Sequence, residues 1–267
     1  MAEKRAYAIH SDEEPARLDR QAAIIRIEQF LPLIPDAPNG RLLDAGCGAG
    51  SMARLLGRTR PEAAVTGLDI RGSYVDHARR KAREERIANV EFVEGNLLDM
   101  PFADEHFDVA WASLVLHWLA PDDVARAMRE LVRVVRPGGW VVCAEPDGVG
   151  TNHYPIEPDL AEQWRKVTTS LFDPDMGRRL YPTMHAAGLN PIAVDIRPYF
   201  FHAFGEINPD VLNVILDSLL AALPRIAEIL GSEDAASKLL DGIARQHKDP
   251  ATTFLPLWVV AVGQKAG

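Results

Sequence analysis

The chain has 267 residues, 47% of them hydrophobic, with 29 Lys and Arg against 38 Asp and Glu and a formal net charge of −9. That length and apolar content suit one large core, so one elaborated domain over 1–267 is expected rather than two. The acidic balance argues against a nucleic-acid partner, which normally requires a basic footprint; Arg79, Arg80, Lys81, Arg83 and Arg86 interleave with Asp76, Glu84 and Glu85 and read as a solvated helix face.

In chain order, residues 1–34 form a helical extension whose helix over 11–31 opens with a Ser11/Glu14 capping box and is placed to close over a ligand. After the turn-like Pro38-Asn39-Gly40, Leu42 and Leu43 read as a buried strand ending in Asp44, followed by Gly46, Gly48 and Gly50. Glycines there remove the Cβ atoms that would hold a ligand off the backbone, and a helix from Ser51 would turn its free N–H groups to that ligand. The spacing is Gly-x-Gly-x-Gly, not the Gly-x-Gly-x-x-Gly of a dinucleotide fingerprint. A second strand, 64–69, ends in Asp69, which can accept from vicinal ribose hydroxyls, and a third, 89–96, ends in Asn96, whose amide suits an adenine edge. A fourth strand, 107–113, a helix over 122–135, a stop at Arg136-Pro137-Gly138-Gly139 and a fifth strand, 140–145, complete a cofactor-binding core over 35–147.

Residues 148–250 form the acceptor-side half: helices within 157–188, a strand over 191–201 and a helical insert at about 206–248, before a last strand at 252–263. Leu212, Ile215, Leu216, Leu219 and Leu220 recur at helical spacing, and Tyr199, Phe200, Phe201 and Phe204 crowd the approach, so the insert reads as a lid for an acceptor with a substantial apolar part. Cys47 and Cys143 fall inside core elements, and no segment reads as a signal core or a membrane span, so a cytoplasmic location is expected. The histidines at 10, 77, 106, 117, 153, 185, 202 and 247 show no short ligand spacing, and no metal is expected.

The chain resembles the class I S-adenosylmethionine-dependent methyltransferases. The resemblance rests on residues 43–50, on Gly67-Leu68-Asp69, on 94–102 and 107–111, and on 133–140, in that order. Within that class it is similar to the small-molecule branch of ubiquinone and menaquinone C-methyltransferases and natural-product enzymes; Leu116-His117-Trp118-Leu119 is also similar to carboxylate methyltransferases acting on trans-aconitate and malonyl thioesters. The resemblance implies a Rossmann-like α/β fold: seven mostly parallel strands with the last antiparallel, helices on both faces and a helical lid. It implies S-adenosyl-L-methionine as cofactor, its methionine part on Gly46, Cys47, Gly48 and Gly50 with Asp44 near the amino group. It implies ribose on Asp69, adenine against Ile70 with Asn96 and Leu97, and Ser113 among the cofactor contacts.

The reaction expected is in-line methyl transfer to a small-molecule acceptor, with a base needed only for a protonated acceptor atom. His117 is the first candidate for that base and Glu145 and Asp147 are alternatives; Tyr7, His10, Trp118, Tyr154 and Phe201 are placed on the acceptor side. Oxygen, nitrogen and carbon acceptors stay open, and a homodimer is compatible with the chain. Also open are a non-methylating member that cyclises or senses, and an NAD-dependent oxidoreductase.

Overall fold

The computed structural model describes residues 14–149, 151–200 and 202–267; Tyr7, His10, Ser11 and Phe201 lie outside the described residues. The elements are α1 (Glu14–Ile25), a 3-10 turn (Ile27–Leu33), β1 (Arg41–Ala45), α2 (Ser51–Thr59), β2 (Ala64–Asp69), α3 (Gly72–Glu84), β3 (Val90–Glu94) and β4 (Phe107–Ser113). A short 3-10 turn (Leu116–Trp118) leads to α4 (Pro121–Val134), β5 (Val135–Asp147), β6 (His153–Tyr154), α5 (Pro158–Leu171), α6 (Met176–Ala186) and β7 (Leu189–Pro198). The chain continues through β8 (Ala203–Phe204), α7 (Pro209–Ala221), α8 (Leu223–Leu230), α9 (Glu233–Lys248), β9 (Thr253–Phe254) and β10 (Leu257–Lys265).

Successive residues of the central strands point to opposite faces, and both sets are apolar, so the sheet is covered on both sides. Leu42, Val109 and Val142 pack with Leu56 of α2, Val75 of α3 and Phe30, whereas Leu43, Ala110 and Val141 pack with Leu131 of α4 and Leu180 of α6. The seven-stranded order is β3-β2-β1-β4-β5-β10-β7. As the resemblance implies, β10 alone runs against its neighbours, antiparallel to both β5 and β7. Strand order reverses between β1 and β4, and the crevice beyond their carboxyl ends is where open α/β sheets bind ligands. A third apolar cluster, with Trp164 and Leu171 of α5, Leu219 of α7, Ile226 of α8 and Leu239 and Ile243 of α9, gives the lid its own core.

Four boundaries differ from the sequence reading. Arg26 at φ 55 ends α1, and a 3-10 turn replaces the rest of the expected helix. The Pro-Gly-Gly stop is absorbed into β5: residues 136–139 bulge out between the pairs Phe107↔Val135 and Val109↔Trp140. The strand expected at 191–201 begins earlier and stops at Pro198. The last expected strand is split, β9 joining β6 and β8 in a small antiparallel sheet while β10 enters the main one. Among the described residues no helix is long and apolar enough to cross a membrane.

Candidate active site

The turn between β1 and α2 uses its glycines for two purposes. Gly46, at φ +75, lines a cavity, and a Cβ there would lie 2.6 Å from Val115 Cγ2. Gly50, at φ +76, lies outside the cavity wall and lets α2 close on the sheet, since a Cβ there would lie 2.5 Å from Phe92 Cε1.

Several backbone donors of this turn are bonded within the chain. Gly46 N and Cys47 N both donate to Leu68 O at 2.8 Å, and Gly50 N donates to Cys47 O at 2.8 Å. Gly48 N donates to Asp69 Oδ2 at 2.8 Å, and Ala53 N, in the first turn of α2, to Asp44 Oδ2 at 3.0 Å. Two carboxylates, Asp44 and Asp69, stand in the wall. Burial, reinforced by the charge of Asp69 and opposed by the Ala53 N–H, pushes the Asp44 carboxyl up to about 7. Burial also raises Asp69, against hydrogen bonds from Arg71 N at 3.0 Å and Gly48 N. Cys47 lines the same wall, and burial pushes its thiol well up, so it is a poor nucleophile.

This first cavity, of about 320 Å³, is lined by Asp44, Gly46, Cys47, Gly48, Asp69, Ile70 and Ser113, with Leu18, Gln21, Ala22 and Ile25 from α1 and Trp111 and Trp258 from the sheet. Asn96 and Leu97 are not part of that lining. Asn96 is exposed and its Oδ1 accepts from Leu98 N at 2.9 Å, a local turn that uses the atom expected to meet adenine. Leu97 packs into the core beneath α4 with Met100.

A second cavity, of about 200 Å³, shares Leu18, Gln21, Leu114 and Trp118 with the first and runs under the lid, past Phe172, Phe200, Ile215 and Leu219. His117 lines it. The His117 Nδ1 lies 2.6 Å from Glu145 Oε2, and Glu145 Oε1 accepts from Val115 N at 3.1 Å and Leu116 N at 2.8 Å. The two residues named separately in the sequence are thus one buried pair, joined because β4 and β5 are neighbours. Asp147 and Tyr154 line neither cavity. Asp147 is held by Arg178, at 2.7 Å from Nη2 and 2.7 Å from its backbone N, and Tyr154 is exposed on the small sheet. Phe204 is likewise exposed.

The sequence reading does not single out the α1 side chains of this site, although Leu18, Ala22 and Ile25 sit at the i, i+4, i+7 spacing of one helix face. Asp19 pins that helix across the cradle, accepting from Ser51 Oγ at 2.7 Å and Arg54 Nη2 at 2.7 Å and pairing with His77 Nε2 at 2.8 Å. Burial raises its pKa, but these bonds outweigh burial and leave Asp19 below its ordinary value. Arg17 ties α1 to the lid: it grips Glu14 at 2.6 and 2.7 Å and reaches Gln21 Oε1 at 2.7 Å and Ser218 Oγ at 3.0 Å.

At the lid end, the His153 ring stacks on Phe254 at 3.8 Å and both its nitrogens are buried without a partner. Burial, with the neighbouring His247, lowers His153 from 6.5 to about 3. The unfolded chain therefore holds an extra proton below pH 6.5, and stability present above that pH is lost as pH falls toward about 3. Urea denaturation at pH 7 and pH 5 should show His153→Phe losing less stability on acidification than the parent, by up to about 1.4 kcal/mol per pH unit.

Residues 43–143 match the family model described as "Methyltransferase domain". The malonyl-[acyl-carrier protein] O-methyltransferase of Pseudescherichia vulneris is 32% identical over 164 residues, which is 61% of this chain and 58% of that protein. The fatty-acid O-methyltransferase of Mycolicibacterium smegmatis is 38% identical over 105 residues, 39% of this chain and 36% of that protein. The chain thus spans little more than half, or less, of these curated relatives. Among solved structures, the [4+2]-cyclase SpnF superposes with a TM-score of 0.61 at 20% identity, covering 92% of this chain and 82% of that one. The geranyl diphosphate C-methyltransferase of Streptomyces coelicolor superposes with a TM-score of 0.58 at 18% identity, covering 96% and 85%. The chain has the class I S-adenosylmethionine-dependent methyltransferase fold.

The cofactor of that methyltransferase fold carries an ammonium and a sulfonium, and the cradle offers both a carboxylate: Asp44, buried and with a single protein donor among the described residues, and the half-buried Asp69, beside Arg71. The same carboxylates, with Gly46, Cys47 and Gly48 N–H already bonded within the chain, make a poor seat for a pyrophosphate. An ammonium beside Asp44 would favour its ionised form. Below pH 7, S-adenosylhomocysteine binding should therefore release a proton, seen by calorimetry in buffers of different ionisation heat, and affinity should rise with pH until about 7. Asp44→Asn should abolish the release. In the free protein the sign is opposite, since a raised carboxyl pKa gives stability that is full below 3.8 and lost as pH climbs to about 7.

Proposed function

We propose that the chain transfers the methyl group of S-adenosyl-L-methionine to a small, partly apolar organic acceptor bearing an ionisable X–H group. The observation that carries this reading is that the cofactor cradle adjoins, across Leu18, Gln21, Leu114 and Trp118, an apolar cavity lined by His117, with Glu145 buried behind the imidazole. Asp44 would hold the amino group, Asp69 the ribose hydroxyls and Ile70 a face of the adenine. When bound, S-adenosyl-L-methionine supplies an electrophilic methyl group on a sulfonium.

The Glu145 carboxylate accepts from two backbone N–H groups and orients the imidazole, so that Nδ1–H donates to Oε2. The lone pair then lies on Nε2, where it can take the proton of an acceptor hydroxyl, amine or carbon acid. Trp118 and Phe172 flank His117, their ring centroids 4.9 and 5.6 Å from its own, and exclude water from that side. Positioning supplies much of the remaining acceleration, because aligned reactants reach effective molarities of ~10⁵ M or more.

Incubation of the protein with methyl-labelled S-adenosyl-L-methionine and host metabolite extract, followed by mass spectrometry, tests the reading. A metabolite gaining the label is expected. Cofactor binding with no labelled product from any extract would replace methyl transfer with a cyclising or sensing role.

A further inference from the structure

β7 closes one side of the main sheet, with β10 as its strand neighbour among the described residues. The hydrogen bond from Tyr199 N to Pro256 O, at 2.8 Å, fixes which main-chain groups of β7 that neighbour uses. Tyr199 and Pro256 continue the register in which Pro198 opposes Leu257 and Ile196 opposes Val259, and bonded and non-bonded pairs alternate along an antiparallel ladder. Arg197, Asp195 and Ala193 therefore turn their main-chain groups to β10. Ile192, Val194 and Ile196 turn theirs outward, where among the described residues they meet no partner.

The side chains of these three residues share one face of the sheet. Ile192 packs on the core that includes Leu180 and Met184 of α6, but Val194 and Ile196 are 43% and 62% exposed. An exposed apolar edge strand is a template for another strand, and proteins normally block it. The opposite edge of the sheet is blocked: β3 has five residues, two of them Glu91 and Glu94, and Arg79 holds Phe92 O at 2.7 and 3.2 Å. On β7 the blocks stand at the ends. Pro191 and Pro198 bracket the outward residues, and Asp195 pairs with Arg197 at 2.5 Å on the other face.

We propose that β7 pairs with β7 of a second copy of this chain, antiparallel about a two-fold axis at Val194. The edge calls for a short strand with free main-chain groups and apolar side chains on alternate residues, and β7 is itself such a strand. An axis at Val194 sets Val194 against Val194 and Ile192 against Ile196 in both directions, so every outward residue of both copies is bonded and the exposed apolar side chains meet on one face. Other registers are poorer. An axis at Asp195 sets like charges directly opposite, one at Ile196 sets Val194 against Pro198, which has no N–H, and one at Ala193 carries Ile196 past Pro191 to Asn190. A two-fold pairing is closed, so assembly stops at the dimer. Ile192, Val194 and Ile196 line neither cavity, and the pairing is independent of the methyl-transfer reading.

Sedimentation over a concentration series tests the pairing. A species of twice the 29.4 kDa chain mass is expected, its share rising with concentration. Val194→Pro removes a central N–H that β10 does not use and should raise the dimer dissociation constant about tenfold or more, the worth of two main-chain hydrogen bonds. Ile196→Lys, at an exposed side chain, should also weaken the dimer, and both variants should bind S-adenosylhomocysteine as the parent does. Val194→Cys should give a disulfide-linked dimer on mild oxidation, because the two Cα atoms at the axis would lie about 5.5 Å apart. Ile196→Cys should not, its two copies being about 13 Å apart or more along the strands. In the parent, the Ile192, Val194 and Ile196 amides should exchange about tenfold more slowly at high than at low concentration, a readout that needs no variant to fold. A monomer at every concentration, a dimer that Val194→Pro and Ile196→Lys leave intact, cross-linking of Ile196→Cys in place of Val194→Cys, or unprotected amides in the dimer would each overturn the proposal.

Discussion

His117→Ala should lower turnover by about 10² or more while S-adenosylhomocysteine still binds. The imidazole is in the wall of the second cavity and not in that of the first, so its loss removes a proton acceptor without touching the cradle. The backbone role of the residue survives, since His117 O accepts from Asp173 N at 2.7 Å whatever the side chain. Titration of the cofactor product and the turnover rate on a labelled acceptor, measured on the same preparation, separate the two effects. Glu145→Gln should also slow turnover, because the amide can offer an N–H where Nδ1–H needs an acceptor, leaving the wrong tautomer at Nε2. Unchanged turnover in His117→Ala would make the pair a structural one and the acceptor one that needs no base.

Asp69→Ala should weaken S-adenosylhomocysteine binding by about 10², the worth of two hydrogen bonds to a charged carboxylate. The same side chain also fastens the turn, through Gly48 N at 2.8 Å and Arg71 N at 3.0 Å, so part of the loss reflects a looser cradle. Denaturation of the free variant measures that part. Asp69→Asn, which keeps one oxygen acceptor, should fall between the parent and Asp69→Ala in affinity. A cofactor product that binds equally well to all three would move the ribose elsewhere.

The sequence carries the cradle because its requirements are local. Alternate glycines after a short apolar run, then a carboxylate at the end of the next strand, are satisfied within 46–69, and the structure sets Gly46, Gly48 and Asp69 in one cavity wall. What the sequence does not carry depends on partners far along the chain. Gly46 and Cys47 lose their donors to Leu68 O, a pairing made only when β2 lies beside β1. Asp147 reads as a substrate contact until Arg178, 31 residues on, claims it from the start of α6. Asn96 closes its own turn, since an Asn side chain two residues before a free N–H competes with any ligand for its oxygen. His117 and Glu145 are each visible as chemistry, but their union is a property of neighbouring strands.

The lid's separate apolar core leaves the halves of the site free to change at different rates. Trp164, Ile226 and Ile243 support one another rather than the sheet, so substitutions at these positions leave in place the packing of the strands that present Asp44 and Asp69, with Phe172 touching both clusters. Energetic effects at sites without shared contacts add nearly independently. One cradle can thus be joined to different second cavities by changing α5 and α7–α9, while the span matched by the family model, 43–143, contains Asp44, Gly46, Gly48 and Asp69.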